Sequence, residues 1–439
     1  MLSQVKTFTY PNGEIQRAQA VRLNSWDELD FLTLSYEDPA FEGFCNIYRR
    51  FLVPQCPWLF GNMVLFRLPH QVELPKESKK YGTVADDLTA AAILLEKGVK
   101  IHGGRPSFSD DAAKKLYLEL EERGCLQIVS GKLPITTIIP VGALPGFLSK
   151  TEENARLKIN AHFFIMDRFD CATVFDHIGT PIGLCVKDGV VTNPPLYGRE
   201  ALLVKKDGSI TVKPLDITDL TVEIGGKVQS GRIYTRPKGI KTPHDGSKKL
   251  VIVGNKVVAV KERGSASIPA SGFVLAVTES KAKPGDAVTY RGLEDVTFGL
   301  QIGNSILKNG AKTEEFISKF YNIRALQPIP YPPSLYPVNM DKTRAARTAI
   351  GADAEGRPML LWAEGKGKCQ YIPGKDSCGA TLDELAAICA DMGLHTAVNM
   401  DGGGSAQILL RNRRSLLICD RHPDRSETER AIPIALIVK

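Results

Sequence analysis

From about residue 132 onward, apolar residues come in short runs broken by Gly, Pro, Asn and Asp, as in "TTIIPVGAL", "PIGLCVKDGVV", "ALLVKKDGSITV", "KLVIVGNKVVAV" and "GFVLAV". Runs of this length bounded by turn residues read as strands. The "KDG" and "GN" turns between them predict hairpins, hence a largely antiparallel sheet. Earlier in the chain the rhythm differs. The first ~80 residues show no clear period. Residues 83–97, "TVADDLTAAAILLEK", and 108–123, "FSDDAAKKLYLELEER", are rich in helix formers and stop at Gly98 and Gly124, the second opening on a Ser109 cap. A further helix is predicted over 381–393, "TLDELAAICADMG", where Thr381 and Glu384 have capping-box spacing and Gly393 is the stop. The pattern therefore predicts an α+β fold: a mixed, largely antiparallel β-sheet core with flanking helices, over 136–439, and a smaller, partly helical N-terminal region over 1–135.

Composition narrows the class without changing this picture. The 439 residues are 43% hydrophobic and 24% charged, the balance of a globular protein with a sizeable core. No window approaches the roughly 18 consecutive apolar residues of a membrane span, and the opening residues lack the basic and apolar regions of a secretory signal, so a cytoplasmic location is expected. Nine scattered cysteines without C-x-x-C or Cys/His metal spacing read as free thiols. The net charge of +7 is a mild excess that can help attract a phosphorylated ligand. The short basic clusters at 76–80 and 411–414 lack interleaved aromatics and read as solvated faces, so no nucleic-acid partner is expected. No cofactor and no obligatory metal are expected, with Asp167, Asp170 and Asp176 as the nearest approach to a cation loop.

The densest chemistry lies in "NMDGGGSAQILL", residues 399–410. The run "LHTAVNM" before it suits a buried strand, which delivers Asn399 and Asp401 at its C-terminal end. Gly402, Gly403 and Gly404 permit positive φ and close approach of a ligand to the backbone, and Ser405 adds a hydroxyl. Such a turn can cradle an anion. It is neither a P-loop nor a dinucleotide fingerprint, because the lysine and the following helix are missing. Taken alone it is also a flexible hairpin tip, since Asp-Gly is the commonest hairpin signal.

Other segments shift that balance. "INAHFF" (159–164), "PIGLCVKDGVV" (181–191), "LQIGNSILKNG" (300–310), "RTAIGADAEGRPMLLW" (347–362), "TLDELA" and "ERAIPIALIV" (429–438), with the glycine turn, fall in one order. In that order the chain resembles the phosphodiester glycosidase family over roughly 135–439. The resemblance implies hydrolysis of a sugar–phosphate bond in a diester or glycan substrate, releasing free sugar and a phosphomonoester.

Such a reaction passes through an oxocarbenium-like transition state, with positive charge at the anomeric carbon and growing negative charge on the departing phosphate. Asp401 is the first choice for the carboxylate at the ring. Arginine suits the phosphate, because its planar fork binds two oxygens and keeps its charge; Arg347 and then Arg430 are the candidates, whereas Arg344 reads as a surface charge. Asn160 and His162, two apart in a strand-like run, share a face. Asn160 is a candidate to orient ligand and His162 to move a proton, although a lone His in an apolar run is often just hydrogen-bonded in place. Asn304 is a further candidate amide. Glu384 is a candidate second carboxylate, already explained by the capping box. Two other readings stay open: a non-catalytic carbohydrate or phosphate binder on the same fold, and a phosphodiesterase cutting P–O, which the lack of a clustered metal site disfavours.

Overall fold

A computed structural model describes residues 1–33, 63–66, 98–102, 105–122, 126–129, 148–165, 173, 175–177, 179–236, 241–313, 343–367, 371–419, 429–430 and 432–439. The chain divides into two compact units, one of Met1–Leu34, Gly146–Phe164 and Pro181–Lys439, the other of Ser35–Pro145 and Ile165–Thr180.

In the smaller unit, Val99–His102 and Arg105–Phe108 form an antiparallel hairpin and Met63–Phe66 pairs antiparallel with Leu126–Val129. Helix α1 covers Asp111–Glu122. It starts one residue later than a Ser109 cap implies. Asp110 Oδ1 accepts the Ala113 N–H at 2.8 Å, while the Ser109 hydroxyl donates to Asp110 Oδ2; a carboxylate at a helix start also opposes the helix dipole. The helix expected over 83–97 lies outside the described residues, as do Asp167 and Asp170. Asp176 is buried, and its Oδ2 accepts both the N–H and the hydroxyl of Thr173.

The larger unit is built of strands. Those that frame the glycine turn are β1 (Leu2–Thr9), β2 (Ile15–Arg22), β3 (Asp30–Thr33), β4 (Leu157–Asn160), β5 (Ser305–Lys308), β6 (Ala311–Lys312), β7 (Arg347–Ala352), β8 (Pro358–Ala363), β9 (Thr396–Asn399), β10 (Ile408–Leu410) and β11 (Ile434–Val438). They make two sheets, a seven-stranded one in the order β1-β2-β8-β7-β9-β5-β6 and a four-stranded one in the order β10-β4-β11-β3. Every pairing in both is antiparallel. Strands β7 and β8 are buried along their whole length, as centre strands covered on both faces must be. Gly351 in β7 has a steric reason: an added Cβ would stand 1.7 Å from the Thr396 carbonyl oxygen of β9.

Helix α2 (Leu382–Asp391) covers one face of the seven-stranded sheet. Its Leu382, Leu385, Ala386, Ile388 and Cys389 join Ala18, Ala20, Ile306, Ala349, Met359 and Leu361 in one core. The 3.6-residue repeat of those apolar positions is what aims them at the sheet. The capping box forms as the spacing predicts, with Glu384 N–H donating to Thr381 Oγ1 at 3.2 Å and Thr381 N–H donating to Glu384 Oε2 at 2.9 Å.

Between β4 and β5 in sequence lie three more antiparallel sheets, of five, three and four strands. They share a core that includes Leu184, Leu203, Ile224, Leu250, Phe273, Tyr290 and Val296.

The α+β expectation is therefore corrected: the fold is mostly β, with 27 strands and only two α-helices among the described residues. Among the described residues the predicted layer of flanking helices reduces to α2. The reason is that the short runs over 181–301 cover one another; sheets pack on sheets, so no helix is needed to shield them.

Of the nine cysteines, Cys185, Cys378, Cys389 and Cys419 are described, and all four are buried and unbridged. Truncating Leu385, fully buried where α2 meets the sheet, will cost about 2–5 kcal/mol. A urea midpoint for Leu385→Ala lowered to that extent, with an unchanged slope, is the expected result.

Candidate active site

Strand β9 ends at Asn399, and the chain then leaves the seven-stranded sheet to reach the four-stranded one. Met400 N–H donates to the Thr348 carbonyl at 2.8 Å, and Asp401 N–H to the Ala161 carbonyl at 3.1 Å. The turn is pinned at both ends by a single side chain. Asn160, the last residue of β4, donates from Nδ2 to the Asp401 carbonyl at 2.5 Å, and its Oδ1 accepts the Gln407 N–H at 3.1 Å. The Thr348 hydroxyl donates to the same Asp401 carbonyl at 2.6 Å and lies 3.2 Å from Asn160 Nδ2. Asn160 and Thr348 are both buried, so these bonds face no competition from water.

Two glycines follow from the backbone's path. A Cβ on Gly402 would stand 2.6 Å from the Ala346 carbonyl oxygen, and Gly403, at φ 60°, occupies the left-handed region and donates its N–H to that same oxygen at 2.7 Å. Gly404 and Ser405 are buried, in a single 3-10 turn over Gly403–Ser405.

Within this frame Asp401 is 5% exposed. Its Oδ1 accepts the Gly402 N–H at 2.9 Å, whereas its Oδ2 has no hydrogen-bond partner among the described residues. Burial pushes its pKa from 3.8 up to about 6; Ser405, Arg430 and the Gly402 N–H each temper the rise. Ser405 Oγ acts on the carboxylate without meeting hydrogen-bond geometry, so Oδ2 and the fully buried Oγ both stay open. An acceptor and a hydroxyl left open in a buried place are costly unless a ligand completes them.

The other predicted residues divide. Arg347 is 3% exposed and spends Nε on the Ala380 carbonyl at 3.0 Å and Nη2 on the Thr343 carbonyl at 2.7 Å, stitching β7 to the segment before α2. Arg430 acts on Asp401 through its charge. His162 is buried, with Nε2 2.8 Å from the Leu184 carbonyl and its ring 5.8 Å from that of Phe31. Burial pushes its pKa down to about 4, so it is a neutral ring near pH 7. Asn399 donates its N–H to the Asn304 carbonyl at 2.9 Å and accepts from Gly303 N–H at 3.0 Å, so Asn304 meets the strand end through its backbone. The Asn399 Oδ1 is buried and open. Glu384 has its two oxygens engaged by the capping box and by Arg344 Nη2 at 2.6 Å. Arg344, expected as a plain surface charge, bridges Glu384 to Glu14 and lies over the Tyr10 ring.

Sequence reasoning missed Thr348 and Gln407. Thr348 had a signal: a hydroxyl within the buried strand "RTAIGA" must find a partner. Gln407, whose Oε1 accepts two bonds from Arg414, had none, because its partner is seven residues on in a loop.

The sequence profile of phosphodiester glycosidases matches residues 218–439, half of the chain and the whole of the glycine turn. The chain belongs to the phosphodiester glycosidase family. That carries a phosphodiester glycosidase-like function in general. Asn160 and His162 lie ahead of the matched residues in this family member. Among solved structures, a Synechocystis protein is similar at 14% identity over 100% of this chain, with a TM-score of 0.44; the chain spans 62% of that protein's length. A Burkholderia pseudomallei K96243 protein is similar at 16% identity, over 100% of this chain and 96% of its own, with a TM-score of 0.42. The catalytic domain of zebrafish N-acetylglucosamine-1-phosphodiester alpha-N-acetylglucosaminidase, auto-inhibited by its pro-peptide, is similar at 17% identity over 56% of this chain and 85% of its own, with a TM-score of 0.24. No curated protein matches.

Thr348→Val keeps the shape of the strand but removes one of two donors to the Asp401 carbonyl, and should cost about 1–3 kcal/mol in chemical denaturation. Asn160→Ala, which removes the other donor to that carbonyl and also strands the Gln407 N–H, should cost more; equal losses for the two variants would show that the turn is not held through Asn160.

Proposed function

We propose that the protein hydrolyses the glycosidic C–O bond of a sugar-1-phosphodiester, releasing the free sugar and a phosphomonoester. The observation that carries this reading is the open, buried Oδ2 of Asp401 beside the open hydroxyl of Ser405. The carboxylate is the partner for positive charge developing at the anomeric carbon, which it stabilises, attacks or supplies with activated water. Its burial strengthens that interaction, since little solvent screens it.

The departing phosphate needs charge neutralisation more than a proton, being already a good leaving group. We assign that task to Arg430, whose charge reaches Asp401. Arg347 supports the site by holding the backbone on which Gly402 and Gly403 rest. Ser405 and the backbone of Gly402–Gly404 orient the ligand, with Asn399 and Asn304 setting the strand end from which the turn departs. His162, neutral near pH 7, shapes the wall beside the Ala161 carbonyl, which receives the Asp401 N–H.

A chromogenic sugar phosphodiester turned over in heavy-oxygen water tests the reading. Label in the free sugar is expected; label in the phosphate would overturn it in favour of P–O cleavage, and no turnover across a broad panel would leave a binding protein. Asp401→Asn should lower kcat by at least about 100-fold.

The carboxylate's pKa also sets a pH limb. Activity that needs ionised Asp401 falls as pH drops through about 6. Removing the Arg430 charge raises that pKa, so Arg430→Gln should move the acid limb of kcat/KM to higher pH; a limb that stays in place would separate Arg430 from the site. Because the folded-state pKa is raised above 3.8, ionisation of Asp401 costs stability as pH rises from about 4 to 6 and leaves a constant penalty above it. Asp401→Asn should therefore be more stable than wild type at pH 7, by a margin that shrinks towards pH 4.

A further inference from the structure

The chain's positive charge is concentrated in one stretch. Residues 227–263 hold ten basic residues and two acidic ones, a net +8; the other 402 residues hold 46 basic against 47 acidic. The +7 of the whole chain is therefore a property of this segment. It forms most of the four-stranded sheet in the order Arg232–Tyr234, Gly272–Val277, Lys248–Val253, Lys256–Lys261.

The segment's two carboxylates are both consumed within it. Asp245 Oδ1 accepts from the fully buried Lys249 Nζ, and Glu262 Oε1 pairs with Lys248 at 3.0 Å. Arg232, Lys241, Lys261 and Arg263 are exposed and have no acidic partner among the described residues. Strand register puts Arg232, Ala276, Lys249 and Lys261 in one row, on one face of the sheet. Arg232 and Lys261 stand at its two edges, about 14 Å apart at ~4.8 Å per strand.

Over that face runs a ribbon. Lys241 bridges Ser267, Asp245 bridges Gly264, and Thr242 exchanges hydrogen bonds with Ala266. It carries Lys241 and Arg263 outward.

We propose that this ribbon and the sheet edges beside it, through Arg232, Lys241, Lys261 and Arg263, form a binding face for a polymer of phosphodiester-linked sugars. The proposal rests on the hydrolytic reading for its choice of polymer. Cations spread over about 14 Å meet more than one phosphate of a polyanion, whereas a single sugar phosphate needs a point site. Nucleic acid is disfavoured by composition: the only Phe, Tyr or Trp in 227–263 is Tyr234, which is 7% exposed and lies under Arg232, and the single exposed ring, His244, is too little for a row of stacked bases.

The test is fluorescence anisotropy of the full chain with a labelled oligomer of hexose units joined by 1-phosphodiester links. Affinity should fall about 10-fold or more between 50 and 200 mM salt, as counterion release requires for several neutralised phosphates. The variant carrying Arg232→Gln, Lys241→Gln and Arg263→Gln should bind about 10-fold or more weakly, with unchanged turnover of a small chromogenic sugar phosphodiester. Charge-retaining replacements, Arg232→Lys, Lys241→Arg and Arg263→Lys, should restore binding. Equal affinity of the Gln variant and wild type overturns the proposal, as does tighter binding to single-stranded DNA of matched charge. Charge-dependent polymer binding by a protein that cleaves no sugar phosphodiester keeps the binding face and removes the hydrolytic reading.

Discussion

One amide group holds the site together. Asn160 reaches from the end of β4 to both ends of the glycine turn, donating to the carbonyl of Asp401 and accepting the N–H of Gln407. The turn cannot satisfy these groups itself, because it leaves one sheet and enters another, and its chain path passes beyond both ladders. A buried backbone polar group without a partner costs about 1–3 kcal/mol. Asn160 removes that cost for the Gln407 N–H and shares the Asp401 carbonyl with Thr348. Every other feature of the site is arranged on that anchor.

The anchor permits an otherwise unfavourable arrangement. A carboxylate that is 5% exposed, with one oxygen open, works against folding, and its pKa rise to about 6 expresses that penalty. The surrounding sheets hold it regardless, since β7 and β8 are buried along their length and α2 seals one face. Strain at one carboxylate is small against cores of this size. The same rigidity explains Gly402, which lies against the Ala346 carbonyl with no room for a side chain.

Charge is partitioned in the same sense. Around the turn the basic side chains Arg347, Arg344 and Arg414 are spent on carbonyls, carboxylates and an amide, which fix geometry. The net positive charge of the chain lies instead in 227–263, on a sheet whose own carboxylates are already neutralised. Local order and long-range attraction thus fall to different parts of the chain.

Much was legible before the fold. Strands over 181–301, the capping box of Thr381 and Glu384, and the importance of "NMDGGGSAQILL" all follow from local spacing, because turn chemistry, capping and glycine freedom are decided within a few residues. The helical layer was not legible, because covering a sheet face is a matter of what lies across from it: the runs of 181–301 shield one another. Likewise Asn160 and Arg347 present the same chemistry in sequence whether they face a ligand or tie down backbone. Only tertiary structure spends their donors, on the Asp401 carbonyl for the first and on the Ala380 and Thr343 carbonyls for the second. Sequence alone determined which residue types stand ready at the turn. Tertiary contact decided which of them keep an open valence, since a hydrogen bond across 241 residues has no local trace.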